Sequence, residues 1–541
     1  MRRLWPLALI AAAAVALWAP SLFVREVGDS FGYDLNWSAQ FSAAFRAGDL
    51  YPRWTPDSFD GLGGPTFYFY PPLGFWLAAL ISLATGGLGA ALQLKLAELA
   101  LFGLSGWSMF AWLRLKADPL PAALGGVLFM LAPYHLDDLY VRGAFAELSA
   151  IAVLPLVALG LASTAAGART GPLWLALGWA GVILGHLPIA LVTGVLVIAP
   201  YGLWLLWELP AAQRLAFAAR AAAALALGTG LAALYLAPAL GLQRFISADY
   251  WWSANFQASD RLFLNPKAWT MPLEPFFAAI AAGEAGIAAV VGWRAWRGGA
   301  RAAAVWGAVA VIVFVVIAGL VPGFWSLPLM AKVQFPWRAM ALEEFALVTV
   351  LIRAPRPALG RLPVICLIAL MAGDLAAVGK FLVTGPATAQ RAGYGAASFP
   401  TSIDAPEYLP AGMLRMTADG PAPAQDIAAL ARTPLAAGDS VSASASPGGR
   451  DVRIRLAPGP ARPVTVRRFY FPSWQASCDG RPVPAEPTGP ARLVGFTSPT
   501  GVAYCDVTIG LTDAEKLGLA LSAASLASLA AWVGLRRRTK A

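Results

Sequence analysis

Apolar runs of about twenty residues, each closed by one or a few arginines, recur along almost the whole chain and restrict it to a lipid environment. The run "AAAVWGAVAVIVFVVIAGLV" (302–321) contains no charged side chain. Of the 541 residues 58% are hydrophobic and 13% charged, with mean hydropathy +0.62, which leaves too little polar surface for a water-soluble fold. The net charge of +10 invites a nucleic-acid partner. The basic residues instead cluster at the ends of apolar runs, where they orient helices, so nucleic acid is excluded.

With Arg2 and Arg3 before it, the first run (5–24) enters from the cytoplasm and delivers the following segment to the outer side. The run "FYFYPPLGFWLAALISLA" is short and aromatic and reads as a juxtamembrane segment in the outer interface. Further spans are expected at 91–113, 119–133, 147–163, 172–187, 189–207, 216–238, 273–292, 303–321, 338–352, 362–382 and 515–535, about twelve in all. The cytoplasmic segments then hold Arg114 and Lys116, Arg169, Arg214 and Arg220, Arg294, Arg297 and Arg301, Arg353, Arg356 and Arg361, and the tail "LRRRTKA", with hardly an acid among them.

The outer side collects the first loop (25–90), "YHLDDLYVRGAFAE", the turn at His186, a Trp-rich loop (241–272), "GFWSLPLMAKVQFPWR" and a soluble region. The chain divides into a membrane module (1–383), an outer region (384–512) and a final span with its tail (513–541). From about 438 the alternation in "DVRIRL", "PVTVRRFYF" and "VAYCDVTI" reads as strands of a small β-sandwich. In an oxidising compartment Cys478 and Cys505 can pair.

Trp37, Phe41 and Phe45 recur every four residues and define a helix over about 35–47 that lies flat on the membrane. Asp34 at its start either caps that helix or deprotonates an acceptor hydroxyl attacking a lipid-borne substrate. Between two spans stand His135, Asp137, Asp138, Arg142 and Glu147. They form a solvated loop, or else Arg142 grips a phosphate and Glu147 needs a partner at the membrane margin. His186 is a packing residue or a ligand; Lys332, Gln334 and Arg338 anchor a span or hold an anionic headgroup. "GLGGPTF" is no P-loop, no His/Cys pair has zinc spacing, and no Gly-x-Ser-x-Gly elbow occurs.

The order of "DLNWSAQFSAAFRAGDLYPRW", "GGPTFYFYPPLGFWLAAL", "YHLDDLYVRGAFAE", "GHLP", "QFPWR", "EYLP" and "FYFPSWQASCDGRPV" resembles bacterial membrane proteins described as 6-pyruvoyl-tetrahydropterin synthase-related. The synthase in that label uses three histidine zinc ligands, and this chain has two histidines. More broadly the layout is similar to the GT-C glycosyltransferases, α-helical polytopic membrane proteins that take sugars from polyprenyl-phosphate donors at the outer leaflet. That resemblance maps Asp34 by position onto the base. On that reading the chemistry of Arg142, Arg338 and Lys332 suits the donor phosphate, and the acceptor or its surroundings fall to His135, Asp137, Asp138, Glu147, His186, Gln334, Trp251 and Trp252.

Many members have paired acids where this chain has Leu35 and Asn36 after Asp34, so no metal and no cofactor is expected. The resemblance implies a bacterial inner-membrane glycosyltransferase whose partners are the bilayer, a polyprenyl-phosphate-linked sugar and a glycan or lipid acceptor, working at the extracytoplasmic face. The alternatives are a transporter or flippase of a lipid-linked substrate, against which midspan positions are almost free of charge, and a non-catalytic envelope assembly protein.

Overall fold

The computed structural model describes residues 4–23, 30–86, 88–253, 256–270, 274–391, 404–417, 420–446 and 448–538. Among them eight helices are long and apolar enough to cross a bilayer: Trp5–Leu22, Ala90–Leu113, Phe145–Ala165, Leu187–Glu208, Ala211–Leu231, Glu274–Arg297, Arg301–Ala318 and Arg361–Thr384. Pro119–Met130 and Pro133–Tyr140, bent by 45°, make a ninth if taken as one span. About twelve were expected. Helices form at the other expected sites, but Gly171–Gly185 has 15 residues and Met340–Arg353 has 14. At ~1.5 Å per residue neither reaches across a hydrocarbon core of about 30 Å. The last helix, Asp513–Arg538, is not among the eight.

Phe145–Ala165 is the most enclosed of these helices, with 94% of its apolar window buried. Its neighbour Gly171–Gly185 carries glycine at every seventh position, Gly171, Gly178 and Gly185, which keeps them on one face. A Cβ at Gly185 would stand 2.6 Å from the Ala150 amide nitrogen, and one at Gly171 would stand 2.4 Å from that of Thr164. Small residues permit such backbone approach in lipid, where packing replaces the hydrophobic effect as the force between helices. The same contact presses His186, next after Gly185, toward the first turns of Phe145–Ala165.

The helix Phe31–Arg46 starts four residues earlier than expected and buries Phe31, Asp34, Trp37, Ser38 and Phe41 along one stripe. It does not lay that stripe on lipid. Phe41 meets Phe67 at 4.7 Å and Phe75 at 6.2 Å between ring centroids. The aromatic run expected at the interface is folded as Thr66–Phe69 and Leu73–Thr85, and its rings pack against this helix.

The C-terminal region holds two larger antiparallel sheets. One orders Ala436–Ala437, Arg462–Phe469, Leu493–Ser498 and Glu486–Thr488; the other orders Val441–Ala445, Val452–Leu456, Tyr504–Ile509, Trp474–Cys478 and Arg481–Val483. "VRIRL" alternates as its period of two requires, with Val452, Ile454 and Leu456 buried and Arg453 and Arg455 exposed. Cys478 and Cys505 face each other across neighbouring strands and are bonded. A smaller strand pair, Leu414–Thr417 with Gly420–Pro423, precedes residue 438, and the helix before it runs on to Arg391.

This region is seated on the first loop. The Phe469 amide donates to the Leu62 carbonyl at 2.8 Å, Arg468 Nη1 donates to the Gly61 carbonyl at 2.7 Å, and Trp54 meets Trp474 at 5.1 Å. Arg53 pairs with Glu515 at 2.9 Å, both buried. Thr512 and Glu515 bond each other's backbone amides, a capping box that starts the last helix.

Candidate functional site

Asp34 lies in the first turn of its helix and is 1% exposed. The N-cap position of that helix is Ser30, whose side chain makes no capping bond. Asp34 Oδ2 accepts from the backbone amide of Phe145 at 3.3 Å, and Oδ1 accepts from the Tyr70 hydroxyl at 3.5 Å. Phe145 is the first residue of the central helix, whose leading N–H groups have no partner within the helix. The carboxylate therefore serves the positive end of a different helix. The Ser30 amide donates to the Arg142 carbonyl at 3.1 Å, which holds the two chain segments in register.

Two residues further along that turn, Glu147 gathers the basic groups. Arg142 donates from Nη1 to Glu147 Oε2 at 2.9 Å and from Nη2 to Oε1 at 3.0 Å, a bidentate pair. Its Nη1 also donates to Asp138 Oδ1 at 2.7 Å and to the Tyr134 hydroxyl at 2.9 Å. Arg338 Nε reaches the same Glu147 Oε1 at 2.9 Å, and its Nη1 donates to the Val333 carbonyl at 2.9 Å. The Tyr134 hydroxyl donates to Glu147 Oε2 at 2.6 Å. Two arginines thus face two carboxylates, with Arg142 buried and Arg338 half-buried. Buried charges persist only when paired in this way.

The other expected site residues are distributed around this centre. His186 joins Gly171–Gly185 to Leu187–Thr193 and lies within electrostatic reach of Glu147, Arg338 and Arg142. His135 is buried between Phe102 and Phe129, at 4.8 and 5.2 Å. Lys332 stands exposed in the short turn Met330–Val333. Gln334 holds a positive φ of 64° and donates to the Trp251 carbonyl at 3.1 Å. Such strain in a non-glycine residue persists only where surrounding structure fixes it. The Trp252 side chain lies outside the described residues.

Asp137 lies between two groups. It is within electrostatic reach of Arg142 on one side and of Asp374 and Glu284 on the other, where Glu344 with Glu343 continues the group. Among the described residues both carboxylate oxygens of Asp137, Glu343 and Asp374 are buried without a hydrogen-bond partner. Glu284 and Asp374 sit well inside the spans Glu274–Arg297 and Arg361–Thr384, which corrects the expectation of midspan positions almost free of charge. Among the described residues no group of three or more His, Cys, Asp or Glu is placed to hold a metal ion.

Sequence reasoning missed Asp404 and the turn Pro406–Tyr408 that follows it. Trp37 Nε1 donates to Asp404 Oδ1 at 2.8 Å across 367 positions, and the Ala405 amide donates to the same oxygen. Burial pushes the Asp404 carboxyl above its ordinary range, against the opposing pull of Ser58, Ala405 and Trp37. Trp251 Nε1 donates to Glu407 Oε1 at 3.1 Å. The only signal in the sequence was "EYLP", whose acid and tyrosine have no local periodicity to explain them.

A multi-span helical bundle whose loops build a buried ionic centre, joined to a C-terminal β-region, defines a polytopic membrane protein. The chain belongs to the family of membrane proteins described as carrying the 6-pyruvoyl-tetrahydropterin synthase related domain, which matches residues 67–378. None of the curated proteins compared with the chain matches it. Among solved structures, the arabinofuranosyltransferase AftD from mycobacteria is similar at 18% identity, over 71% of this chain and 27% of AftD, with TM-score 0.42. A mutant form of AftD gives 19% identity over 71% and 28%, with TM-score 0.42. The chain spans about a quarter of AftD's length.

Proposed function

We propose that this protein is a membrane glycosyltransferase that moves a sugar from a polyprenyl-phosphate donor to an extracytoplasmic glycan or lipid acceptor, with Asp34 as base. The observation that supports it best is the convergence of Asp34, Glu147, Arg142 and Arg338 on the first turn of Phe145–Ala165. An acceptor oxygen attacks the anomeric carbon, its proton passes to Asp34, and the bond from that carbon to the phosphate oxygen breaks, inverting the centre. The hydrogen bonds that Asp34 accepts from Tyr70 and Phe145 are long, as those of a base awaiting its substrate often are. Arg338, half-buried at the rim, meets the departing phosphate with Lys332; Arg142, engaged by three side chains, holds Glu147 in place.

The test is transfer from a radiolabelled polyprenyl-phosphate sugar in proteoliposomes. Asp34→Asn, which keeps shape and loses basicity, is expected to lower the rate by about 10²–10⁴. Full activity in that variant would falsify the assignment. A second reading, transport of a lipid-linked substrate, draws support from the buried carboxyls Asp137, Glu284 and Asp374, because intramembrane acids commonly mark translocation or proton paths. It requires sugar-lipid movement across the bilayer that survives Asp34→Asn and stops in Glu284→Gln.

A further inference from the structure

From Asp34 a continuous wall of rings leads outward to a second carboxylate. Tyr70, whose hydroxyl donates to Asp34, meets Trp37 at 4.7 Å; Trp37 meets Tyr408 at 6.0 Å; Tyr408 meets Trp251 at 6.3 Å. Trp251 then donates its indole N–H to Glu407. Trp37 and Tyr408 are buried and form the backing, whereas Tyr70, Trp251 and Glu407 are half-buried and form the accessible edge. Asp404, 3% exposed, fixes the backing through Trp37 and keeps Oδ2 buried with no hydrogen-bond partner among the described residues.

Three separate parts of the chain supply this wall: the first loop, the Trp-rich loop and the segment leading into the outer β-region. Their junction is held by more than these rings. The Ser247 amide donates to the Leu409 carbonyl and the Ala411 amide to the Phe245 carbonyl, while Gln334 ties the Trp251 carbonyl to the loop that carries Arg338. A carboxylate can accept more hydrogen bonds than one indole supplies, and aromatic faces give apolar contact with a polar rim. Hydroxyl-rich rings with apolar faces are the ligands that match both features.

We propose that Tyr70, Trp251 and Glu407 form an extended acceptor subsite for a glycan of two or more sugar units, with the reacting unit at Tyr70 and Asp34 and the next unit against Trp251 and Glu407. This rests on the glycosyl-transfer reading and adds that the acceptor is a saccharide chain. A lone monosaccharide or a lipid headgroup would not use the outer half of the wall.

The test uses the full-length protein in nanodiscs and titrates it with neutral gluco-, galacto-, manno- and arabino-oligosaccharides of two to six units and with their monosaccharides. Binding is read by calorimetry, which needs no donor. At least one oligosaccharide is expected to bind, about tenfold or more tighter than its monosaccharide. Glu407→Gln is expected to weaken the oligosaccharide about tenfold and leave the monosaccharide unchanged, and Trp251→Phe to have a smaller effect in the same direction. Circular dichroism and thermal unfolding establish that both variants are folded. If no oligosaccharide binds better than its monosaccharide, or if Glu407→Gln leaves the preference intact, the subsite is refuted. Those results are independent of the base: loss of transfer in Asp34→Asn with an unchanged oligosaccharide preference in Glu407→Gln refutes the subsite and leaves glycosyl transfer standing.

Discussion

The arginines at the two ends of the helical bundle are satisfied by different kinds of partner. At one end Arg353 donates to the Trp112 carbonyl at 3.0 Å with its guanidinium 3.7 Å from the centre of the Trp112 ring, and Gly360 lies against Arg294. At the other end Arg142 and Arg338 share Glu147, and Arg53 pairs with Glu515. Arg353 is met by a carbonyl, a ring and the Tyr201 hydroxyl, all neutral partners. Arg142, Arg338 and Arg53 are met by buried carboxylates, the pairing that a buried charge requires.

That contrast can be broken most forcefully at Glu147. Glu147→Gln removes the shared anion from two arginines and is expected to destabilise the protein by about 3–5 kcal/mol, measured as thermal unfolding in detergent. A loss below 1 kcal/mol would show that the arginines find other partners and that the two ends differ less than their contacts suggest. Arg353→Met is expected to cost about 1–2 kcal/mol, the scale of one charged hydrogen bond with a cation–π contact. It should leave transfer unchanged; a parallel loss of transfer would mean that the opposite end also serves the reaction.

The smallest effect is expected at Asp404. Its folded pKa is raised, so the native state binds this proton more readily than the unfolded chain does. Stability from this group is therefore greatest at low pH and falls as pH rises from the unfolded value of about 3.9 through the raised folded one. Asp404→Asn keeps an oxygen for Trp37 and Ala405 and removes the titration. Melting temperatures between pH 4 and 8 should show the wild type losing ground to the variant as pH rises; parallel curves would remove Asp404 from the account.

Much of the bundle was legible because lipid imposes length and apolarity directly on sequence. Ala90–Leu113 and Phe145–Ala165 formed close to where their apolar runs indicated. The span count was not legible, because Gly171–Gly185 and Met340–Arg353 reach helical form inside the protein without the length to cross lipid. The charges of Glu284 and Asp374 stood in plain view within apolar runs. Their mutual proximity across separate helices was not visible there.

For the candidate site, spacing put Trp37, Phe41 and Phe45 on one face with Asp34 at the start of the helix, whereas the buried stripe runs through Phe31, Asp34, Trp37 and Phe41. Spacing did not say what the stripe would meet, and lipid was the wrong partner. The sequence by itself determined that this chain lives in a membrane, which stretches form its long helices, and that an acid stands at the start of a helix with an aromatic face, since periodicity and apolarity are local properties. Only the tertiary structure decided that Asp34 serves the start of another helix, that two arginines meet on Glu147, and that Asp404 and Glu407 return across more than 150 positions to the indoles of Trp37 and Trp251. Those partners are chosen by burial and charge pairing in three dimensions, which no local pattern encodes.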